Sequence, residues 1–265
     1  MEQPSPRHTR TRISSKAQKL LQQTDDAYVL SGRFGSPSFG GITNVVNSLK
    51  RAEAGGCLTM GELLKIAETL RVIRGLKQWR DKSAGIETVL DSYFNALAPN
   101  KFLEEKIFTS IISEEEMSDL ASVTLSAIRK KIKQTSAKAR EVLDKMVRSQ
   151  TYQKYLQDPI VTIRDGRFVV PVKAECKGEI SGLVHDTSSS GATLFIEPMS
   201  VVELNNELSE LAIKEQHEIE KILADLSNKC TEYIEAIDTD FKVLSELDFI
   251  FAKAALSKNA CKSWL

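Results

Sequence analysis

The chain has 265 residues, with 36 basic and 36 acidic side chains, 42% hydrophobic residues and 6% aromatic residues. A net charge of zero excludes a histone-like or polybasic nucleic-acid binder, so any such role must come from local patches. The low content of Gly (13) and Pro (7) argues against an all-β or low-complexity chain. No apolar run reaches the roughly 18 residues that a membrane span needs.

The first residues are rich in Arg and Ser and poor in acids, as transit peptides are, but they show no amphipathic period. We therefore expect residues 1–13 to be disordered or a wrongly assigned start. The cysteines form no C-x-x-C motif, which favours reduced thiols in a cytoplasmic protein over a zinc site or a disulfide framework. They are Cys57, Cys176, Cys230 and Cys261.

Helical periodicity dominates the chain before residue 118. The turn-rich segment 31–41 separates the first predicted helix from the second. Thr59 and Glu62 have the spacing of a capping box at the start of the third, and Ser113–Glu116 is a second candidate. The predicted helices cover about residues 14–30, Ile42–Ala54, a stretch from Thr59 to beyond Trp79, and Gly85–Leu97.

A heptad seam then begins, and it predicts a long helix that ends before Pro159. Its members are Leu125, Ile128, Ile132, Thr135, Ala139, Val142 and Met146. Next, the apolar period changes to two on both sides of Asp165-Gly166, a dipeptide typical of a two-residue hairpin turn. Two further short strands are expected at Glu179–His185 and Ala192–Ile196.

Helix returns after Pro198, with a third capping-box candidate at Ser200–Glu203. Asn205 and Asn206 lie in this helix close to the β segment, where we expect a hydrogen-bonding role, with a hinge as the alternative. The resulting order is helices, a long helix, a small β insert and a second long helix.

Charge separates the two long helices. Residues 124–155 carry nine basic and two acidic side chains, and residues 199–240 carry three basic and eleven acidic ones. A basic patch alone favours nucleic acid as a partner. Because the acidic helix offers an intramolecular partner instead, we expect 124–152 and 201–235 to pair antiparallel and neutralise each other.

The β insert contains His, Asp and Ser, the residue types of a hydrolase triad, but their arrangement does not suit one. His185 and Asp186 are neighbours on a predicted strand and point to opposite faces, so Asp186 cannot readily orient the imidazole ring. The serines at 188–190 suit a turn. His217 lies among acidic residues on a polar helix stretch, where a solvated side chain is expected rather than a metal ligand. We therefore expect no catalytic and no metal-binding residues.

Two long segments resemble one known family. They are Tyr155–Lys173 (YLQDPIVTIRDGRFVVPVK) and Gly182–Pro198 (GLVHDTSSSGATLFIEP), the latter leading into Val202–Leu208 (VELNNEL). Pro37–Ile42 and Leu49–Glu53 resemble upstream parts of the same family. Over about residues 15–257 the chain is similar to the bacterial MutS-related proteins of the anti-recombination type, the MutS-two branch.

The resemblance implies a mainly α fold: a helical core, and a long antiparallel coiled-coil lever with a small antiparallel β clamp at its tip. Members are homodimeric ATPases, usually with a C-terminal Smr nuclease domain, associated with branched DNA, suppression of recombination and rescue of collided ribosomes. No ATPase or Smr segment occurs in this chain, so it resembles a core, lever and clamp fragment. The implied divisions are 14–117 (core), 118–158 and 199–257 (lever), 159–198 (clamp) and 258–265 (truncated tail).

In this family the clamp touches the nucleic-acid backbone, so the expected contact residues lie in the β insert. Arg164 and Arg167 flank the hairpin turn and are expected to project from it with little competing packing. The other candidates are Lys173, Lys177 and, when protonated, His185. The expected partner is branched DNA or ribosomal RNA, with the ribosome as a further partner and no membrane. The alternative is a non-enzymatic coiled-coil protein with a β tip that acts as a structural or interaction module.

Phosphate-loop chemistry gives a direct test of the fragment interpretation. A Walker A loop needs Gly-Lys followed by Ser or Thr, and neither a Gly-Lys dipeptide nor G-x-G-x-x-G occurs in the 265 residues. ATP and Mg²⁺ are thus expected only in a separate ATPase domain, and this chain should bind no cofactor. The purified chain should hydrolyse no ATP in a phosphate-release assay; activity that copurifies with the chain through successive columns would contradict this.

Overall fold

The computed structural model describes the backbone of residues 6–262 and the side chains of residues 15–257. This part is mostly helical and carries a small antiparallel sheet of four strands, which confirms the mainly α class. Its helices include none that is long and apolar enough to cross a membrane. The predicted disordered start, residues 1–13, and the predicted truncated tail, residues 258–265, lie outside the residues whose side chains the structure describes.

The helices are α1 (Pro6–Phe34), α2 (Val46–Glu53), α3 (Met60–Lys82), α4 (Asp91–Ala96), α5 (Lys101–Ser110), α6 (Val123–Arg148), α7 (Gln150–Gln153), α8 (Met199–Thr231) and α9 (Ile234–Lys262). The strands are β1 (Thr162–Arg164), β2 (Arg167–Lys173), β3 (Gly182–Thr187) and β4 (Thr193–Pro198). The helices and strands together form two compact units. Asp119–Ile222 is the second unit, and the described residues before and after it form the first.

In the first unit, α1 packs on α9 and α3 packs on α5 around an apolar core. Trp79, Phe94 and Phe251 form an aromatic cluster in which the ring of Phe251 meets the other two nearly edge-on, the favourable arrangement for aromatic pairs. The buried carboxylate of Glu104 accepts two hydrogen bonds from Arg74, at 2.8 and 2.7 Å, so its charge is not left unpaired.

The capping box at the start of α3 is confirmed. The Thr59 hydroxyl accepts a hydrogen bond from the Glu62 N–H at 3.2 Å, and the Glu62 carboxylate accepts one from the Thr59 N–H at 3.0 Å. The corresponding prediction at Ser113 is wrong, because the residues after it form a tight turn that Ile111 and Met117 close by a β-bridge. Ser200 lies inside the first turn of α8, which begins directly after β4.

Several helix boundaries differ from expectation, among them the start of α2, which lies at Val46 rather than Ile42. α1 runs past Gly32 to Phe34, because the positive φ that ends it occurs at Gly35, with φ of 79°. α4 begins at Asp91 rather than near Gly85, where φ is 104°. The Asp91 carboxylate accepts hydrogen bonds from the N–H and hydroxyl of Thr88, so the preceding residues form a turn instead of a helix.

In the second unit, α6 and the first part of α8 run antiparallel. Side-chain hydrogen bonds join Ser122 to Glu218 at 2.8 Å, Arg129 to Glu215 at 2.6 Å and Thr135 to Glu207 at 3.3 Å. The partners on α8 descend as those on α6 ascend, which is the order expected of antiparallel neighbours. The buried positions of α6 are Leu125, Thr135, Ala139, Leu143 and Val147, so towards its end the seam moves from 142 and 146 to 143 and 147.

The sheet has the strand order β1-β2-β4-β3, with every neighbouring pair antiparallel. One face of β2 packs against the second half of α6 and the start of α8, and the contacts include Val170, Val172 and Leu143. β3 approaches its neighbour β4 very closely at Gly182, where a Cβ would lie 2.3 Å from the Glu197 carbonyl oxygen. Only glycine permits this approach.

The thiols of the first unit lie in contrasting environments. Cys230 is fully buried, and burial raises the pKa of its thiol to about 12, whereas Cys57 is exposed. Since the thiolate is the reactive form, iodoacetamide at about pH 8 should alkylate Cys57 and leave Cys230 unmodified until denaturant is added. Peptide mapping by mass spectrometry reads each site separately. Equal rates at both cysteines in the folded chain would contradict the packing described above.

Candidate nucleic-acid interface

The β1–β2 hairpin has the turn that Asp165-Gly166 predicts. Both residues have positive φ, 48° and 74°, and the flanking Arg164 and Arg167 are paired across the strands. A two-residue turn of this kind matches the right-handed twist of the strands, and a small polar residue followed by glycine tolerates it best. The predicted hairpin is therefore confirmed, and it places the two arginines at its end.

The two arginines have different environments. The Arg164 guanidinium lies over the ring of Phe195, 4.2 Å from its centroid, and its Nε is 3.4 Å from a carboxylate oxygen of Asp186. Its side chain is 42% exposed, and Asp186 is exposed as well. Arg164 is thus fixed against the sheet but remains accessible to a ligand.

Arg167 does not project freely from the hairpin. One of its terminal nitrogens donates to both carboxylate oxygens of Glu197, at 2.9 and 3.2 Å, and the other donates to Asn206 at 2.9 Å. The expectation of little competing packing is therefore wrong for Arg167. Its guanidinium joins the sheet to α8, and its partners were not visible to local reasoning because they lie 30 and 39 residues away.

Glu197 is the centre of a buried polar network. Its carboxylate is fully buried and accepts hydrogen bonds from Arg167, from Asn205 at 2.8 Å and from the His185 ring. His185 thus contacts Glu197 and not its sequence neighbour Asp186, which accepts a hydrogen bond from the Thr187 N–H. An unpaired buried carboxylate is strongly destabilising, so the fold depends on all three donors to compensate the charge of Glu197.

Asn205 continues the hydrogen bonding of β2 where β4 ends. Phe168 lies opposite Pro198 if the β2–β4 register is extended by two residues, and proline has no N–H to offer. The Asn205 side chain accepts from the Phe168 N–H and donates to the Phe168 carbonyl, both at 3.1 Å. The hydrogen-bonding role expected for Asn205 and Asn206 is confirmed, and its purpose is to fasten the sheet to α8.

The remaining predicted contact residues lie at the other end of the sheet. Lys173 is half-buried at the end of β2, and its ammonium donates to the Lys154 carbonyl at 3.1 Å. Lys177 is exposed after a short 3₁₀ turn. The structure therefore does not bring the five predicted residues together: Arg164 and Lys177 are accessible, whereas Arg167 and His185 are engaged with Glu197.

Sequence reasoning missed Glu197, and it expected a hydrogen-bonding role for Asn205 without naming a partner. Glu197 directly follows three apolar residues of β4, Leu194–Ile196, and it is as fully buried as they are or more so. Asn205 follows Val201 at a spacing of four, so it lies on the buried face of α8. A polar residue at a buried position must be paired, and each of these pairs with the other.

Comparison with curated proteins gives a consistent set of relatives. The chain is 44% identical over 246 residues to endonuclease MutS2 of Acetivibrio thermocellus, which covers 92% of this chain and 31% of that protein. It is 46% identical to endonuclease MutS2 of Ruminiclostridium cellulolyticum and 48% identical to that of Agathobacter rectalis, each over 242 residues, 91% of this chain and 31% of the relative. This chain is a relative of the MutS2 endonucleases.

The relationship extends through both units, since nine tenths of the chain is aligned. The chain spans about a third of the length of these relatives. No family model matches it. No group of three or more His, Cys, Asp or Glu side chains with the geometry of a metal site occurs among the residues that the structure describes.

The attachment of the sheet to α8 can be tested at one residue. Asn205→Ala removes the partners of both Phe168 backbone groups and one partner of Glu197, each worth about 1–3 kcal/mol when left unsatisfied. We expect the sheet to lose about 2–4 kcal/mol of stability, measured as faster hydrogen exchange of peptides from 162–198. The control is Asn206→Ala at the exposed neighbouring position, which should cost less than about 1 kcal/mol. Equal effects would show that Asn205 does not hold the sheet.

Proposed function

We propose that this chain is the part of a MutS2-like endonuclease that grips nucleic acid and transmits motion. The relatives are named endonucleases, that is, enzymes that cut nucleic acid. The antiparallel pair of α6 and α8 would act as the lever and the four-stranded sheet as the clamp. The observation that carries this proposal is the buried network of Glu197, Arg167, His185 and Asn205, because it makes the sheet and the start of α8 move together.

The continuity of the chain supports the same role. β4 ends at Pro198 and α8 begins at Met199, so the strand passes into the helix without a loop. The Met199 N–H also donates to the Ser181 carbonyl at 3.0 Å, just before β3. A force on the sheet therefore reaches α8 through both the backbone and the buried network, with no flexible linker between them.

In the complete protein, the ATPase segment would bind ATP and Mg²⁺ and the chain would be a homodimer. The ligand of the clamp would be branched DNA or ribosomal RNA, in suppression of recombination or in rescue of stalled ribosomes. The second candidate is a non-enzymatic interaction module, in which the same sheet is only a structural cap on the helix pair. The two differ in one measurable property, because only the first requires nucleic acid to bind the sheet.

Arg164 is the residue that separates these candidates. Arg164→Ala should weaken binding to a branched DNA or structured RNA and flatten the salt slope of log K by about one, since one phosphate contact is lost. It should lower the stability of the sheet by less than about 1 kcal/mol, because Arg164 is half-exposed, its contacts with Phe195 and Asp186 are solvent-screened and Glu197 keeps its partners. Binding measured by fluorescence anisotropy across a salt series gives both quantities.

Two matched variants control this experiment. Arg164→Lys keeps the charge and should retain most of the salt slope, although it loses the paired donors of the guanidinium. Arg167→Ala should lower stability by about 3–5 kcal/mol, because it leaves the buried Glu197 without its cation. Unchanged affinity and slope in Arg164→Ala would favour the interaction module or a contact elsewhere.

A further inference from the structure

Ion pairing with the acidic helix α8 uses only two of the eight basic side chains of α6. Arg129 pairs with Glu215 at 2.6 Å and with Asp119 at 2.7 Å, and Lys131 pairs with Glu207 at 2.9 Å. The hydrogen bond from Lys131 also holds the pKa of the Glu207 carboxyl below its usual value. The expectation that the helices neutralise each other therefore holds for these two basic side chains alone.

A second set of basic residues on α6 takes no part in this pairing. All four are exposed, and none forms an ion pair with any residue that the structure describes. Their intervals of three, seven and eight residues keep them on one helical face, away from the buried Ala139 and Leu143. We call this set the outer stripe of α6: Lys130, Lys133, Arg140 and Arg148.

Acidic side chains reduce the charge of the outer stripe only in part. Asp144 lies within it, half-buried, so the face carries a net charge of three positive units. Glu141 lies beside it and is paired with Lys145 at 2.6 Å. A shallow groove of about 420 Å³ runs between Arg140, Asp144 and Arg148, where Ala137 leaves room next to the helix.

The composition of this face selects one class of ligand. α6 contains no aromatic residue, so it offers no platform on which the bases of a single strand could stack. From Lys130 to Arg148 the helix rises about 27 Å, which matches about eight base pairs of duplex. Four flexible cations along such a line suit phosphates and carry no means of reading bases.

We propose that the outer stripe of α6 binds the phosphate backbone of a duplex nucleic acid. The class of ligand rests on the proposed function, whereas the position of the site does not depend on Arg164 or on any other residue of the sheet. The stripe and the sheet belong to the same compact unit, so one ligand can be held by both. Duplex DNA and duplex RNA share this chemistry, and the experiment distinguishes them.

The stripe variant carries Lys130→Gln, Lys133→Gln, Arg140→Gln and Arg148→Gln in the full chain. The control variant loses the same charge at exposed lysines elsewhere: Lys82→Gln, Lys101→Gln, Lys214→Gln and Lys221→Gln. Gln is nearly as good a helix former as Lys and Arg, and circular dichroism checks that both variants keep their helicity. The probes are a DNA duplex and an RNA duplex of about 20 base pairs and an oligo-dT strand of equal length, measured from about 50 to 200 mM salt.

We expect the stripe variant to bind at least one duplex about tenfold or more weakly than the unaltered chain at low salt, with a salt slope shallower by about three to four units. The control variant should change the slope by less than about one unit. The duplex that loses affinity identifies the nucleic acid. Oligo-dT should bind the unaltered chain more weakly than that duplex does.

Equal slopes and affinities in the stripe and control variants would overturn the proposal, and so would tighter binding of oligo-dT than of either duplex. If Arg164→Ala weakens binding and the stripe variant does not, the proposed function stands and the stripe fails. If the unaltered chain binds no nucleic acid, both fail.

Discussion

The fully buried carboxylate of Glu197 is the group on which the second unit depends. Removing a carboxylate from water costs several kcal/mol even after the surroundings relax, so its partners must be in place whenever it is buried. Those partners come from three elements: Arg167 from β2, His185 from β3 and Asn205 from α8. The strands and the helix can therefore be folded only as one body, because separating any of them exposes or orphans a charge.

The same constraint explains why the end of β4 has its particular sequence. Pro198 ends the strand because proline has no N–H to donate to β2, and α8 begins at the next residue. The backbone groups of Phe168 would then lack partners, but Asn205, on the second turn of that helix, supplies both a donor and an acceptor. Pro198, which ends the β2–β4 pairing, and Asn205, which supplies the missing hydrogen bonds, are only seven residues apart. A short segment therefore specifies the connection between the sheet and α8.

Local rules explain which features the sequence alone could predict. The Asp165-Gly166 turn and the Thr59–Glu62 capping box form from residues at most three apart, and the chemistry of each requires one geometry. Ser113 satisfies the same capping pattern, but the residues around it are drawn into a turn by the pairing of Ile111 with Met117. The role of Arg167 was beyond reach for a related reason: a hairpin arginine is accessible by default, and only tertiary packing brings Glu197 to it.

If the second unit grips nucleic acid as proposed, attraction and positioning of the ligand fall on different surfaces. Residues 159–198 carry four basic and five acidic side chains, and Arg167 is already bound to Glu197, so the sheet has little net attraction for a polyanion. α6 carries eight basic and two acidic side chains, and only part of this charge is used in pairing with α8. Long-range attraction falls with added salt, while a fixed guanidinium such as Arg164 acts at contact distance and depends on geometry. A helix that attracts and a sheet that fixes would give a grip whose strength is set by ionic conditions and whose position is set by the buried network.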